Sequence, residues 1–167
     1  MIRRDAEETL KRLASQFPVI GITGPRQSGK STLARMVFPD RKYISFDDRT
    51  ARELAASSPG DFIAAFPDGA VIDEAQKVPE IFDAVKHDVD THEYRPGKFV
   101  LTGSSQFRLR TNITDSMAGR VALVRLLPFS AAELKGEGLL PDNMYDLIFK
   151  GQYPPLYDAV RQRQKIS

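Results

Sequence analysis

The sequence predicts an α/β protein in three layers, a parallel sheet between two layers of helices, with a helical segment at its C-terminal end. Three observations predict it. Short apolar runs (VIGIT, KYISF, AVIDEA, KFVLTGSS and VALVRLL) alternate along the chain with stretches of helical periodicity. Several of these runs are continuously apolar, as strands buried on both faces are. From about Pro128 onward the strand pattern stops and only helical patterns follow.

Residues 4–16 read as a helix with Ala6, Leu10, Leu13 and Ala14 on one face. VIGIT is the first strand, and STLARMVF after it has helix formers with Leu33, Met36 and Val37 on one side. KYISF at 42–46 is the second strand and ends at Asp47 and Asp48. Asp48 suits the N-cap of the helix RTARELAA, although both aspartates also lie where a metal site would have its edge. SPGDFIAAF gives a short helix after a Pro-Gly break, and AVIDEA at 70–75 is the third strand. Pro79 opens the helix PEIFDAVKHDVDTH, which carries Phe82, Val85 and Val89 on one stripe. KFVLTGSS and VALVRLL, at 121–127, complete five strands; SAAELKG, DNMYDLIF and LYDAVRQRQ are helical. Residues 1–128 are expected to form a core, and 129–167 the start of a lid or a following domain. The chain runs out at VRQRQKIS with no stop signal, so a fragment of a longer protein is expected.

The chain has 167 residues, 28% of them charged, a formal net charge of +2 and no cysteine. Disulfides and cysteine-held zinc are excluded, and the charge balance does not by itself imply nucleic acid. MIRRDAEETLKRL lacks the apolar centre of a signal peptide, and no apolar run has membrane-spanning length. A cytoplasmic protein with no membrane association is expected.

The stretch GPRQSGKST carries the chemistry. Gly24, Gly29, Lys30 and Ser31 fill G-x-x-x-x-G-K-[ST], the phosphate-binding P-loop, in its required place after a strand and before a helix. The glycines reach backbone angles closed to other residues, so successive N–H groups can turn inward as an anion nest. The whole loop from Gly24 to Thr32 is the expected nucleotide cradle, Pro25, Arg26, Gln27 and Ser28 filling its variable positions. Lys30 would reach the β- and γ-phosphates, and the Ser31 hydroxyl would ligate Mg²⁺.

AVIDEA fits a Walker B strand: Asp73 would hold the Mg²⁺ and Glu74 would polarise a water for attack on the γ-phosphate. A bland alternative is an acidic strand end capping the next helix. TGSS places Thr102, Ser104 and Ser105 at a strand's carboxyl end, where open α/β sheets bind ligands, and Ser104 is the candidate contact to the γ-phosphate or the water. Arg120 precedes the fifth strand and is a candidate arginine finger reaching a neighbour's nucleotide, or else an ordinary surface arginine. His87 and His92, five residues apart, lack metal-pair spacing. Phe107, Arg108 and Arg110 suit nucleic acid only weakly.

GPRQSGKSTL, YISFDD, AVIDEAQKVPEIFDAVK, FVLTGSSQF, SMAGRVALVRLLPFSAAEL and GQYP, in that order and spacing, together resemble a prokaryotic AAA+ ATPase family. The resemblance covers Val19 to Pro154. Members carry an N-terminal ATPase core followed by a C-terminal domain of unknown function, which is missing here. It implies a P-loop NTPase fold with sheet order 5-1-4-3-2, and ATP binding and hydrolysis. It places Gly24, Gly29, Lys30, Ser31 and Thr32 in the Walker A motif and Asp73 and Glu74 in the Walker B motif. Ser104 falls at the sensor position and Arg120 at the arginine-finger position, which would imply a homo-oligomer. GQYP departs from a double glycine and is given no role; Arg161 and Arg163 are sensor 2 candidates only by default.

Two other function classes compete with an ATP-hydrolysing switch or motor. A small-molecule kinase also carries a P-loop, but Glu74 directly after Asp73 favours water activation over an acceptor. A nucleotide-gated module binding DNA or protein would need no turnover and, on duplex DNA, would show a salt slope.

Overall fold

The computed structural model describes residues 2–104 and 117–157. Five strands form one parallel sheet: β1 (Val19–Thr23), β2 (Lys42–Ser45), β3 (Ala70–Asp73), β4 (Phe99–Gly103) and β5 (Val121–Arg125). Their order is β2-β3-β4-β1-β5, which read from the other edge is the expected 5-1-4-3-2. Burial follows the order. Every residue of the three central strands, β3, β4 and β1, is buried, whereas the edge strands β2 and β5 carry exposed positions. That is why the central strands read as unbroken apolar runs.

Successive strand residues point to opposite faces, so each strand feeds two cores. On one face Val19, Ile72, Phe99 and Leu101 pack with α3 (Arg49–Ser57), α4 (Pro59–Ala64) and α5 (Glu80–Thr91). On the other, Ile20, Ile22, Val71 and Val100 pack with α1 (Ala6–Ala14) and α2 (Lys30–Val37). Ile81 and Phe82 of α5 are almost completely buried; each such side chain contributes about 1.5–3 kcal/mol. The first helix is shorter than the 4–16 expected, because residues 2–4 leave it to meet the C-terminal segment. Asp48 caps α3 as expected, its carboxylate accepting from the Thr50 N–H at 2.9 Å.

After β5 come α6 (Ala131–Gly136) and α7 (Met144–Lys150). Ser130 and Glu133 close a capping box on α6. Phe129, Leu134, Leu147 and Tyr157 form a third apolar cluster with Ile2, a residue from the opposite end of the chain. Among the described residues no helix is long and apolar enough to cross a membrane.

Candidate functional site

The parallel register brings the strand ends level. Thr23 lies beside Gly103 and Arg125, and Ser45 beside Asp73, so the loops leaving β1, β2, β3 and β4 emerge from one edge. The loop after β1 bends where its glycines allow. A Cβ on Gly24 would come within 2.0 Å of the Leu126 carbonyl oxygen, and Gly29 has φ +91° at the N-cap of α2. Gln27 also takes a positive φ of 60°.

Lys30 opens α2 and is buried, its Nζ donating to the Pro25 carbonyl across the loop at 2.8 Å. Burial pulls its ammonium below the usual lysine range, while the Glu74 and Asp73 carboxylates push the other way. Asp73, at the end of β3, is buried and collects hydroxyl donors. The Ser31 Oγ stands 2.9 Å from both of its oxygens, the Tyr43 hydroxyl donates to Oδ2 at 2.7 Å, and Thr102 donates to Oδ1. Partial burial, and secondly the bond to Asp73, pushes the Tyr43 hydroxyl up to about 12.

Glu74 has φ +55°, ψ +38°. A left-handed non-glycine residue costs about 1–3 kcal/mol and tends to mark functional sites. Its carboxylate accepts from the Ser104 hydroxyl at 2.9 Å and from the Gln76 amide. These groups face a cleft of about 560 Å³ lined by Arg26, Gln27, Gly29, Lys30, Ser31, Thr32, Asp47, Asp73, Glu74, Pro154 and Pro155. Beside it lies an apolar cavity of about 120 Å³, bounded by Ile2, Arg4, Leu33, Met36 and Phe129 and sharing Gly29, Thr32 and Pro154 with the cleft.

Lys30, Ser31, Asp73, Glu74 and Ser104 are thus brought together, as is the loop from Gly24 to Thr32. Thr102 bonds Asp73. The two aspartates after β2 divide: Asp48 caps a helix, whereas Asp47 lines the cleft and pairs with Lys77. Arg120 is not brought to the site. It sits just before Val121, which pairs with Val19 at the amino edge of the sheet, so the length of the sheet separates it from the cleft. Its Nε pairs with Asp90 at 2.5 Å, which raises the arginine further and lowers the aspartate. His92 leans on Asp88. Ser105, Phe107, Arg108, Arg110, Arg161 and Arg163 lie outside the described residues.

Tyr43, Gln76, Arg4 and the Pro154–Pro155 pair were missed by sequence reasoning. Tyr43 lies one position before Ile44, which pairs with Ile72, and only that pairing puts its ring beside Asp73. Nothing in the sequence signals Gln76 or Arg4, while GQYP holds Pro154 itself.

A family model described as an AAA domain matches residues 16–135, more than half of the chain. The chain belongs to this AAA family of ATPases. Its AAA fold is shared with solved structures. The Walker-type ATPase of Pyrococcus abyssi superposes with a TM-score of 0.59 at 19% identity, over 92% of this chain and 65% of that one. AMPPCP-bound DnaA from Aquifex aeolicus gives 0.57 at 14% identity, over 97% and 59%. The ADP form of the Aeropyrum pernix ORC2 protein gives 0.56 at 17%, over 85% and 54%. Uncharacterized proteins of Mycobacterium bovis (Mb2031c) and Mycobacterium tuberculosis (Rv2008c) are 31% identical over 94% of this chain. The AAA chain spans about a third (34%) of the length of those relatives. Family and fold together support a nucleotide-binding ATPase in general terms.

Proposed function

We propose that the chain binds ATP with Mg²⁺ in the cleft and hydrolyses it to ADP and phosphate, as a cytoplasmic switch or motor of the AAA+ kind. The convergence of Lys30, Ser31, Asp73 and Glu74 on one cleft of about 560 Å³ supports this reading most strongly. The phosphates lie in the Gly24–Thr32 loop, where inward N–H groups and the start of α2, with roughly half a positive charge, receive them. Lys30 moves from the Pro25 carbonyl to the β- and γ-oxygens.

Ser31 and Asp73 offer a hydroxyl and one carboxylate, a hard-oxygen pair that suits Mg²⁺ completed by phosphates and water. Among the described residues no group of three His, Cys, Asp or Glu stands ready to hold a metal by itself. Held by Ser31 and Asp73, Mg²⁺ would supply charge neutralisation for the phosphates. Thr102 and Tyr43 hold the Asp73 carboxylate in place. Glu74 accepts the proton of the attacking water as general base, and Ser104, bonded to Glu74, orients that carboxylate and meets the γ-phosphate. The apolar cavity beside Gly29 and Thr32 takes the nucleobase.

Arg120 stands at the far edge of the sheet, so it serves a neighbouring copy: carboxyl edge against amino edge builds a homo-oligomer in which Arg120 leaves Asp90 for the neighbour's γ-phosphate. Residues 1–128 form the ATPase core in this reading and 129–167 begin a lid or a following domain.

Release of inorganic phosphate from Mg²⁺-ATP, measured with no added acceptor, tests the proposal. Steady release is expected. ATP binding without release would favour a gated interaction module, and phosphate transfer only on adding a small-molecule acceptor would favour a kinase.

A further inference from the structure

Arg4 lies far in sequence from everything it touches. Its side chain is buried, and all three guanidinium nitrogens are committed. Nε donates to Glu133 Oε1 at 2.9 Å, one terminal nitrogen to the Ser28 carbonyl at 2.9 Å, and the other to the Leu127 carbonyl at 2.6 Å. The guanidinium also lies over the Phe129 ring, 4.7 Å from its centre. Glu133 is equally committed: Oε1 also accepts from the Asp5 N–H at 2.9 Å, and Oε2 from the Ser130 N–H at 2.7 Å. A planar guanidinium can serve three acceptors in fixed directions, which an ammonium cannot.

The bond to Ser28 bears on the phosphate loop. In a trans peptide the C=O and the following N–H point in opposite directions. Arg4 draws the Ser28 carbonyl outward, toward α6, and thereby turns the Gly29 N–H of the same peptide inward, toward the cleft. Gly29 is the residue whose left-handed backbone, φ +91°, starts α2. A second peptide group held by the same guanidinium, that of Leu127, lies where the chain leaves β5 for the helical segment.

We infer that Arg4 is a positioning residue that couples the two. It orients the Ser28–Gly29 peptide for phosphate and, through Glu133, makes that orientation depend on the docking of α6. Phosphate bound at the loop and α6 docked on Arg4 stabilise one arrangement, so each favours the other by the same factor. The coupling rests on the nucleotide reading above. It adds that α6, which lines neither the cleft nor the apolar cavity, senses an occupied phosphate loop through a buried arginine.

The test uses ADP as the probe. In the unaltered chain, saturating ADP should slow amide hydrogen exchange in α6, residues 131–136; unchanged exchange there would overturn the coupling without any variant. Glu133 lines neither the cleft nor the apolar cavity. Glu133→Gln should nevertheless weaken ADP binding by calorimetry about five-fold or more, and should abolish the ADP-dependent protection of α6. Parent affinity in a folded Glu133→Gln protein overturns the proposal. Arg4→Lys, which keeps the charge but not the fork, should show the same two losses; full retention of both would reduce Arg4 to a structural arginine. A parent chain that binds no ADP would instead remove the nucleotide reading, and the coupling with it.

Discussion

The two edges of the sheet hold charge in opposite ways. At the carboxyl edge Lys30 and Asp73 are 5% and 6% exposed, yet no ion pair joins them: Lys30 donates to a carbonyl, and Asp73 accepts from three hydroxyls. At the amino edge Arg120 and Asp90 have side chains 37% and 36% exposed and lean on each other. Lys98 and Asp88 show a third arrangement, buried and directly paired. Buried charge is ordinarily paired, as Lys98 and Asp88 are. Charge that is buried but held by neutral groups is poised for a charged ligand. Charge paired in solvent is cheap to open, because water and salt replace the partner. The carboxyl edge thus holds buried charge on neutral partners and the amino edge a releasable contact, and the proposed assembly of copies would make them two halves of one reaction.

That pairing of edges can be broken experimentally. Among the variants that test this pairing, the largest expected effect is from Arg120→Ala. If the amino edge of one copy completes the carboxyl edge of another, turnover in the assembled protein should fall by about 10³-fold with ATP affinity nearly unchanged, since a finger acts on transition-state charge. Mixing Arg120→Ala with Lys30→Ala protein should restore part of the activity. Undiminished phosphate release by Arg120→Ala alone would confine the reaction to one edge.

Lys30→Ala comes next. ATP affinity, read by calorimetry, should fall on the order of 100-fold, the loss of a buried charge-assisted contact. Parent affinity in a folded Lys30→Ala protein would contradict the P-loop reading. Asp73→Ala should shift the Mg²⁺ dependence of ATP binding roughly ten-fold toward higher metal concentration, and an unchanged titration would leave Asp73 with no metal role. The smallest effect separates two adjacent residues. Asp48→Ala should lower stability to urea by about 1 kcal/mol through its lost helix cap, with ATP binding intact. Asp47→Ala, in the cleft, should do the reverse. Equal effects from both would erase the distinction between capping and lining.

The division between edges also explains what could be read from the sequence. The phosphate loop was legible because its backbone demands appear as letters: Gly24 and Gly29 stand where a side chain would collide or be strained. The acidic strand end was legible because a buried central strand is continuously apolar until Asp73 stops it. The sheet order came through resemblance to a family, since alternation alone does not order strands. Tyr43 and Gln76 were not legible. An exposed-edge tyrosine and a turn glutamine are common, and only strand pairing and the left-handed turn at Glu74 aim them. Arg4 was least legible of all, because its partners Ser28, Leu127 and Glu133 are as many as 129 positions away. The Arg120–Asp90 pair spans 30 positions, so the sequence showed the arginine without its partner.

The central claim is that Glu74, strained and held by Ser104 and Gln76 beside the phosphate loop, activates the attacking water. Glu74→Gln keeps the shape of the side chain and removes its ability to accept a proton. The direct measurement is single-turnover hydrolysis of Mg²⁺-ATP by this variant, with binding measured on the same protein. The account predicts ATP affinity within about two-fold of the parent and a hydrolysis rate reduced by about 10²–10⁴-fold. Hydrolysis at the parent rate, with ATP bound as tightly, would contradict it.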